Sequence, residues 1–105
     1  MVESIYSEGE RVLANWQQDD YWYICTIQEI IETEIHVIYD EGTREILTIE
    51  NLRKVAIKPG DFIEGRWLGE MNYYPGTVIK VKGENVKIEY KDGKKEWLPM
   101  SLTRF

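Results

Sequence analysis

The sequence predicts an all-β protein assembled from two copies of one small five-stranded unit. Three observations lead there. Residues 9–53 overlay residues 60–104 without a gap, at an offset of 51. Trp16 falls on Trp67, Tyr23 on Tyr74, Thr26 on Thr77, Tyr39 on Tyr90, Glu45 on Glu96, Leu47 on Leu98 and Arg53 on Arg104. A gapless self-match of that length marks an internal duplication, and two copies are too few for a solenoid, so each should be a small closed unit. Val86, Ile88 and Tyr90 alternate with Lys87, Glu89 and Lys91, the period of two of a half-buried strand. Glu41-Gly42 and Asp92-Gly93 are acid–Gly pairs that favour two-residue hairpin turns of the primed type.

In the first repeat, residues 1–8 read as a loosely held lead-in. Strand one covers 11–16, followed by a turn at 17–20. A long, bent second strand runs over 21–31, and a turn at 32–34 leads to strand three at 35–40. Strand four covers 43–48, a helical turn 49–52, and a fifth strand 53–57. The second repeat follows suit with strands at 62–67, 73–81, 86–91 and 94–99 and a helical turn at 100–102. It stops at Phe105, with almost no fifth strand left to close it. An uncovered edge invites pairing, so residues 2–6, the linker or a second molecule is expected to cover it. Gly65 and Gly76 share inward parity with Ile63 and Val78 and suit a tightly curved sheet. The two units are expected at 1–58 and 59–105. Five short strands with a bent second strand and a helical turn before the last describe a small SH3-like barrel.

Composition bounds the function. A hydrophobic content of 43% with 12% aromatics fits a folded domain. Units of about 50 residues bury only a modest core. No apolar run of about 18 residues is present, so no membrane span is expected, and the first ten residues lack the pattern of a secretory signal. Cys25 is the single cysteine, which excludes an intrachain disulfide and points to a reducing, intracellular compartment. The net charge of −6 is uneven: residues 1–58 hold 12 acidic and 5 basic side chains, residues 59–105 hold 7 and 8. Overall acidity argues against general nucleic-acid binding. No nucleophile stands in a catalytic motif and no glycine-rich phosphate loop occurs, so the protein reads as no enzyme and needs no cofactor. One His and one Cys make no zinc site.

The pattern Gly-acid-x-Val/Ile-x-Ala/Gly-x-Trp is followed by Tyr73-Tyr74-Pro75-Gly76-Thr77-Val78, and Tyr39-Asp40-Glu41-Gly42 precedes a later Glu. In these motifs the chain resembles Tudor and agenet-type domains over both repeats, that is, a tandem Tudor protein. The resemblance implies two Tudor-type barrels that bind a protein or peptide carrying a cationic, methylated lysine or arginine side chain. It also implies an aromatic cage at Trp16, Tyr23 and Tyr39 with Glu41 beside it, and a second at Trp67, Tyr74 and Tyr90 with Asp92.

The residues support the same site independently. Trp16, Tyr23 and Tyr39 hold inward-parity positions near the ends of three neighbouring strands, where rings can converge at one mouth. Aromatic faces replace the weak hydration of a methylated ammonium at roughly 0.5–2 kcal/mol per ring. An aromatic often follows the acid–Gly turn in such cages. Here Thr43 and Lys94 stand there, and Lys94 opposes a cation in the second repeat. Two other readings stay open. The rings can plug the barrel ends as structural groups. Alternatively Lys80, Lys82, Lys87, Lys91, Lys94 and Lys95, interleaved with Trp97, make the second repeat a weak nucleic-acid binder, although Glu84, Glu89 and Glu96 lie nearby in sequence. His36 has outward parity and Cys25 core parity. Trp22, Tyr73 and Trp97 read as packing residues.

Overall fold

The computed structural model describes residues 5–15, 19–66 and 71–105, in two compact units, Met1–Val55 and Ala56–Phe105. In the first, β1 (Arg11–Ala14), β2 (Tyr23–Ile31), β3 (Glu34–Tyr39), β4 (Arg44–Leu47) and β5 (Leu52–Lys54) form an antiparallel sheet in the order β4-β3-β2-β1-β5. In the second, β6 (Phe62–Arg66), β7 (Tyr73–Lys82), β8 (Asn85–Tyr90), β9 (Lys95–Pro99) and β10 (Thr103–Arg104) repeat it as β10-β6-β7-β8-β9.

Alternation explains the core of the first unit. Val12 and Ala14, Cys25 and Ile27, and Ile35, Val37 and Tyr39 point to one face, and Leu47 and Leu52 join them from the two edge strands. Because both edges feed one cluster, the sheet must curl over it. The bend sits in β2, where the register with β3 slips between Ile27 and Glu29. A bulge of this kind increases local twist. The second unit slips at the matching place, between Val78 and Lys80, so the bend is encoded in both copies. There the inner face is so tight that a Cβ on Gly76 would stand 2.5 Å from Ile88 Cγ2 and 3.0 Å from the Glu89 carbonyl oxygen. The ladder runs from edge to edge without joining the edges to each other among the described residues, so each unit is a curled five-stranded sheet.

Several boundaries differ from the sequence reading. β5 covers Leu52–Lys54 rather than 53–57, because Leu52, Arg53 and Lys54 pair with Ala14, Leu13 and Val12. A 3-10 turn, Ile49–Asn51, feeds Leu52 into the core. The acid–Gly hairpins are three-residue loops, not two-residue primed turns. Tyr39 N–H donates to the Thr43 carbonyl (2.8 Å) and Gly42 N–H to the Tyr39 carbonyl (2.9 Å). Gly42 alone has positive φ, 107°, the pattern of a type I turn closed by a left-handed glycine. Tyr90, Gly93 and Lys94 repeat this at 2.8 and 2.9 Å.

The lead-in is not loose where it is described. Tyr6 is buried in the first unit's core, and Lys54 Nζ donates to the Ile5 carbonyl at 2.5 Å and to Glu10 Oε2 at 2.6 Å. Tyr6 thus serves its own unit, while residues 1–4 lie outside the described residues. In the second unit the expected fragment of a fifth strand exists as β10, pairing Thr103 with Gly65 and Arg104 with Glu64.

Candidate functional site

Tyr23 opens β2 opposite Ala14 and packs half-buried against the core. Its hydroxyl donates to Asp19 Oδ2 at 3.0 Å, while Asp19 Oδ1 accepts from Tyr21 N–H at 2.8 Å. Asn15 Nδ2 donates to the carbonyls of Asp19 and, at 3.0 Å, Tyr21. Asp19 and Asn15 therefore tie the loop to the ring at the start of β2. Two residues along, on the same face, Cys25 stands opposite Tyr39, which makes Tyr23 and Tyr39 diagonal neighbours.

Tyr39 is buried, 3% exposed, and its hydroxyl donates to Glu45 Oε1 at 2.6 Å. Burial first, and the hydrogen bond to Glu45 next, push its phenol well above the usual range. Tyr90 repeats the arrangement: it is 6% exposed and donates to Glu96 Oε1 at 2.7 Å. Tyr74 is half-buried on β7 opposite Gly65. Trp16 and Trp67 lie outside the described residues.

Glu41 and Asp92 are exposed at their turns. Each carboxylate accepts a backbone N–H two residues on, from Thr43 at 3.3 Å and from Lys94 at 3.0 Å. They brace their own hairpins. The acids placed against the tyrosines are instead Glu45, Glu96 and Asp19. Sequence reasoning did not assign the first two a partner, although Glu45 and Glu96 are identical across the repeat. An open pocket of about 300 Å³ lies at the Tyr90–Glu96 pair, lined also by Lys94 and Lys95. Those two ammonium groups disfavour a cation there, and Lys94 Nζ is 3.9 Å from Asp92 Oδ2.

A second duplicated pair was missed as well. The Arg53 guanidinium lies 3.9 Å from the Trp22 ring centroid, and that of Arg104 lies 4.1 Å from Tyr73. Positions 22 and 73 are aromatic at the repeat offset and Arg53 matches Arg104, so the signal was present. These stacks occupy both rings with the protein's own cations. Cys25 is a core residue whose thiol is pushed up to about 12, first by burial. His36 lies 3.3 Å from Glu34 through Nε2. Among the described residues no group of three or more His, Cys, Asp or Glu is placed to hold a metal ion, and no helix is long and apolar enough to cross a membrane.

A family model described as "Domain of unknown function (DUF4537)" matches residues 9–105, spanning both repeats. No curated protein matches the sequence. Among solved structures the chain is similar to the Crb2 tandem tudor domains, with a TM-score of 0.63 at 17% identity over 90% of this chain and 75% of that one. It is also similar to AGDP1 AGD34 of Arabidopsis thaliana, with a TM-score of 0.48, 16% identity and coverage of 99% and 84%. The tandem Agenet domain 3-4 of ADCP1 gives 0.46, 16%, 99% and 82%. The first of these likenesses identifies the fold as tandem Tudor-like.

Proposed function

This chain belongs to the DUF4537 family, and from that premise we propose that it is a non-catalytic recognition module. Its two Tudor-like repeats, 1–58 and 59–105, are read as SH3-like barrels. The mouth of the first takes a cationic, methylated lysine or arginine side chain of a partner protein. The observation that carries the reading is the half-buried Tyr23, fixed by Asp19 at 3.0 Å beside the Tyr39–Glu45 pair. Trp16 and Tyr23 are assigned the ring contacts, and Tyr39 the floor. Glu41 at the rim and the carboxylates of Asp19 and Glu45 supply the negative field. In the second repeat Trp67, Tyr74, Tyr90 and Asp92 are assigned a weaker site, because Lys94 and Lys95 line its pocket. Rings worth roughly 0.5–2 kcal/mol each imply affinities on the order of micromolar to millimolar once ordering costs are met. An intracellular partner fits the buried, reduced Cys25.

A second reading has its own support. Tyr39 and Tyr90 are nearly inaccessible and clamped by Glu45 and Glu96, as structural plugs would be. Titrating the chain with mono-, di- and trimethylated lysine and methylated arginine peptides separates the two. The recognition reading expects saturable binding that Tyr23→Ala abolishes in a folded protein. Absence of binding to every peptide at millimolar concentration leaves the plug reading.

A further inference from the structure

We propose that the outer face of β7, β8 and β9 is a single-stranded nucleic-acid site, in which Trp97 stacks on a base and Lys80, Lys82, Lys87 and Lys95 hold the flanking phosphates. This surface is distinct from the first repeat's mouth and shares only Lys95 with the pocket of the second; its residues are set by strand register. Lys80 pairs with Lys87 on the neighbouring strand, and Lys87 with Trp97 on the next. An aromatic and two ammonium groups thus stand abreast across three strands. Trp97 is 46% exposed, so much of its ring is open to solvent. Lys82, opposite Asn85, and Lys95, opposite Glu89, extend the row on either side.

Alternation removes the acids that seem to neutralise this stretch in the sequence. Glu96 turns to the inner face, where its carboxylate accepts from Tyr90 at 2.7 Å. Glu84 lies in the β7–β8 turn. That leaves Glu89 as the acid among the paired outward positions of β8. Among the described residues none of Lys80, Lys82, Lys87 and Lys95 is in an ion pair. Like charges directly opposite each other destabilise a sheet, and Lys80 against Lys87 is such a pair. A phosphate between them would relieve it.

The other repeat supplies the internal comparison. In identical register its row is Glu29, His36 and Ile46, an acid, an imidazole and an aliphatic where the second unit has two lysines and a tryptophan. The fold therefore does not demand lysines and a tryptophan at these places. Base-on-aromatic stacking with lysines along the backbone is the chemistry by which single strands are held without sequence preference. A duplex hides its base faces, and a run of acidic side chains has no aromatic face to stack on the indole.

The test uses the full chain and a fluorescein-labelled oligo-deoxythymidine of about 20 nucleotides, followed by anisotropy at low salt. Expected is saturable binding with a dissociation constant on the order of 10 µM at low salt, the affinity falling with salt at a log–log slope of about −2 to −3. Lys80→Glu with Lys87→Glu should weaken it about tenfold or more. Trp97→Leu should cost about fivefold, whereas Trp97→Phe should retain most of the affinity. Lys80→Gln with Lys87→Gln serves if the charge reversal unfolds the protein by circular dichroism. Three results would overturn the proposal: no saturable binding, wild-type affinity in the lysine or Trp97→Leu variants, or equal affinity for duplex DNA or poly-glutamate. Methylated-peptide binding should be indifferent to all these substitutions, so the two sites stand or fall separately.

Discussion

The hydroxyl of Tyr39 donates to Glu45 at 2.6 Å, and Tyr90 to Glu96 at 2.7 Å, so one tyrosine–carboxylate clamp is built twice. Each clamp spans a hairpin. It joins the end of β3 or β8 to the following strand and holds the ring against the core. A hydrogen bond to a charged acceptor contributes about 1.5–3 kcal/mol. Tyr39→Phe and Tyr90→Phe should therefore each lower stability by about that amount, read by denaturant unfolding. A change within error in both variants would remove the clamp from the account.

Alkaline pH offers a second check. The phenol of Tyr39 is held above its ordinary value by burial and by Glu45, so the folded chain keeps a proton that the unfolded chain releases. Stability from this group is complete below about pH 10 and declines as pH rises beyond it. In Tyr39→Phe that part of the decline should vanish, so stability above pH 10 should fall less steeply with pH. Equal slopes in the two proteins would show that Tyr39 ionises as readily folded as unfolded.

The repeats also correct each other. Glu32 has φ 56°, a left-handed conformation that costs a side chain about 1 kcal/mol or more, at the place where the second unit uses Gly83 with φ 60°. Glu32→Gly should stabilise the first unit by about 0.5–1 kcal/mol in a thermal or denaturant melt. A destabilised variant would mean that the Glu32 side chain does more than it costs.

How legible the molecule was depended on whether the signal was periodic or geometric. The alternation of Val86, Ile88 and Tyr90 and the offset of 51 located the strands, since both are properties of the chain itself. The bend of β2 was readable from its length; its bulge after Ile27 was not. The hairpin type was misjudged because Glu41-Gly42 looks the same in two- and three-residue loops, which differ only in the φ of Glu41. At the site, parity put Tyr23 and Tyr39 on one face. Which acid each tyrosine would meet depends on hairpin geometry, so Glu41 was favoured by family resemblance while Glu45 lies in contact. The repeated identity of Glu45 and Glu96, next to a repeated tyrosine, was the unused clue.

Whether the first repeat's mouth takes the proposed methylated cation is decided by a backbone amide NMR titration with trimethyllysine peptide. Shifts should concentrate at residues 19–25 and 39–45, with little change at 90–96, where Lys94 and Lys95 line the pocket. Mono- and dimethyl peptides should depend more on the local carboxylates, because they retain an N–H to donate. Shifts scattered over both units, or none at millimolar peptide, would contradict it and leave the aromatic clusters as structural plugs.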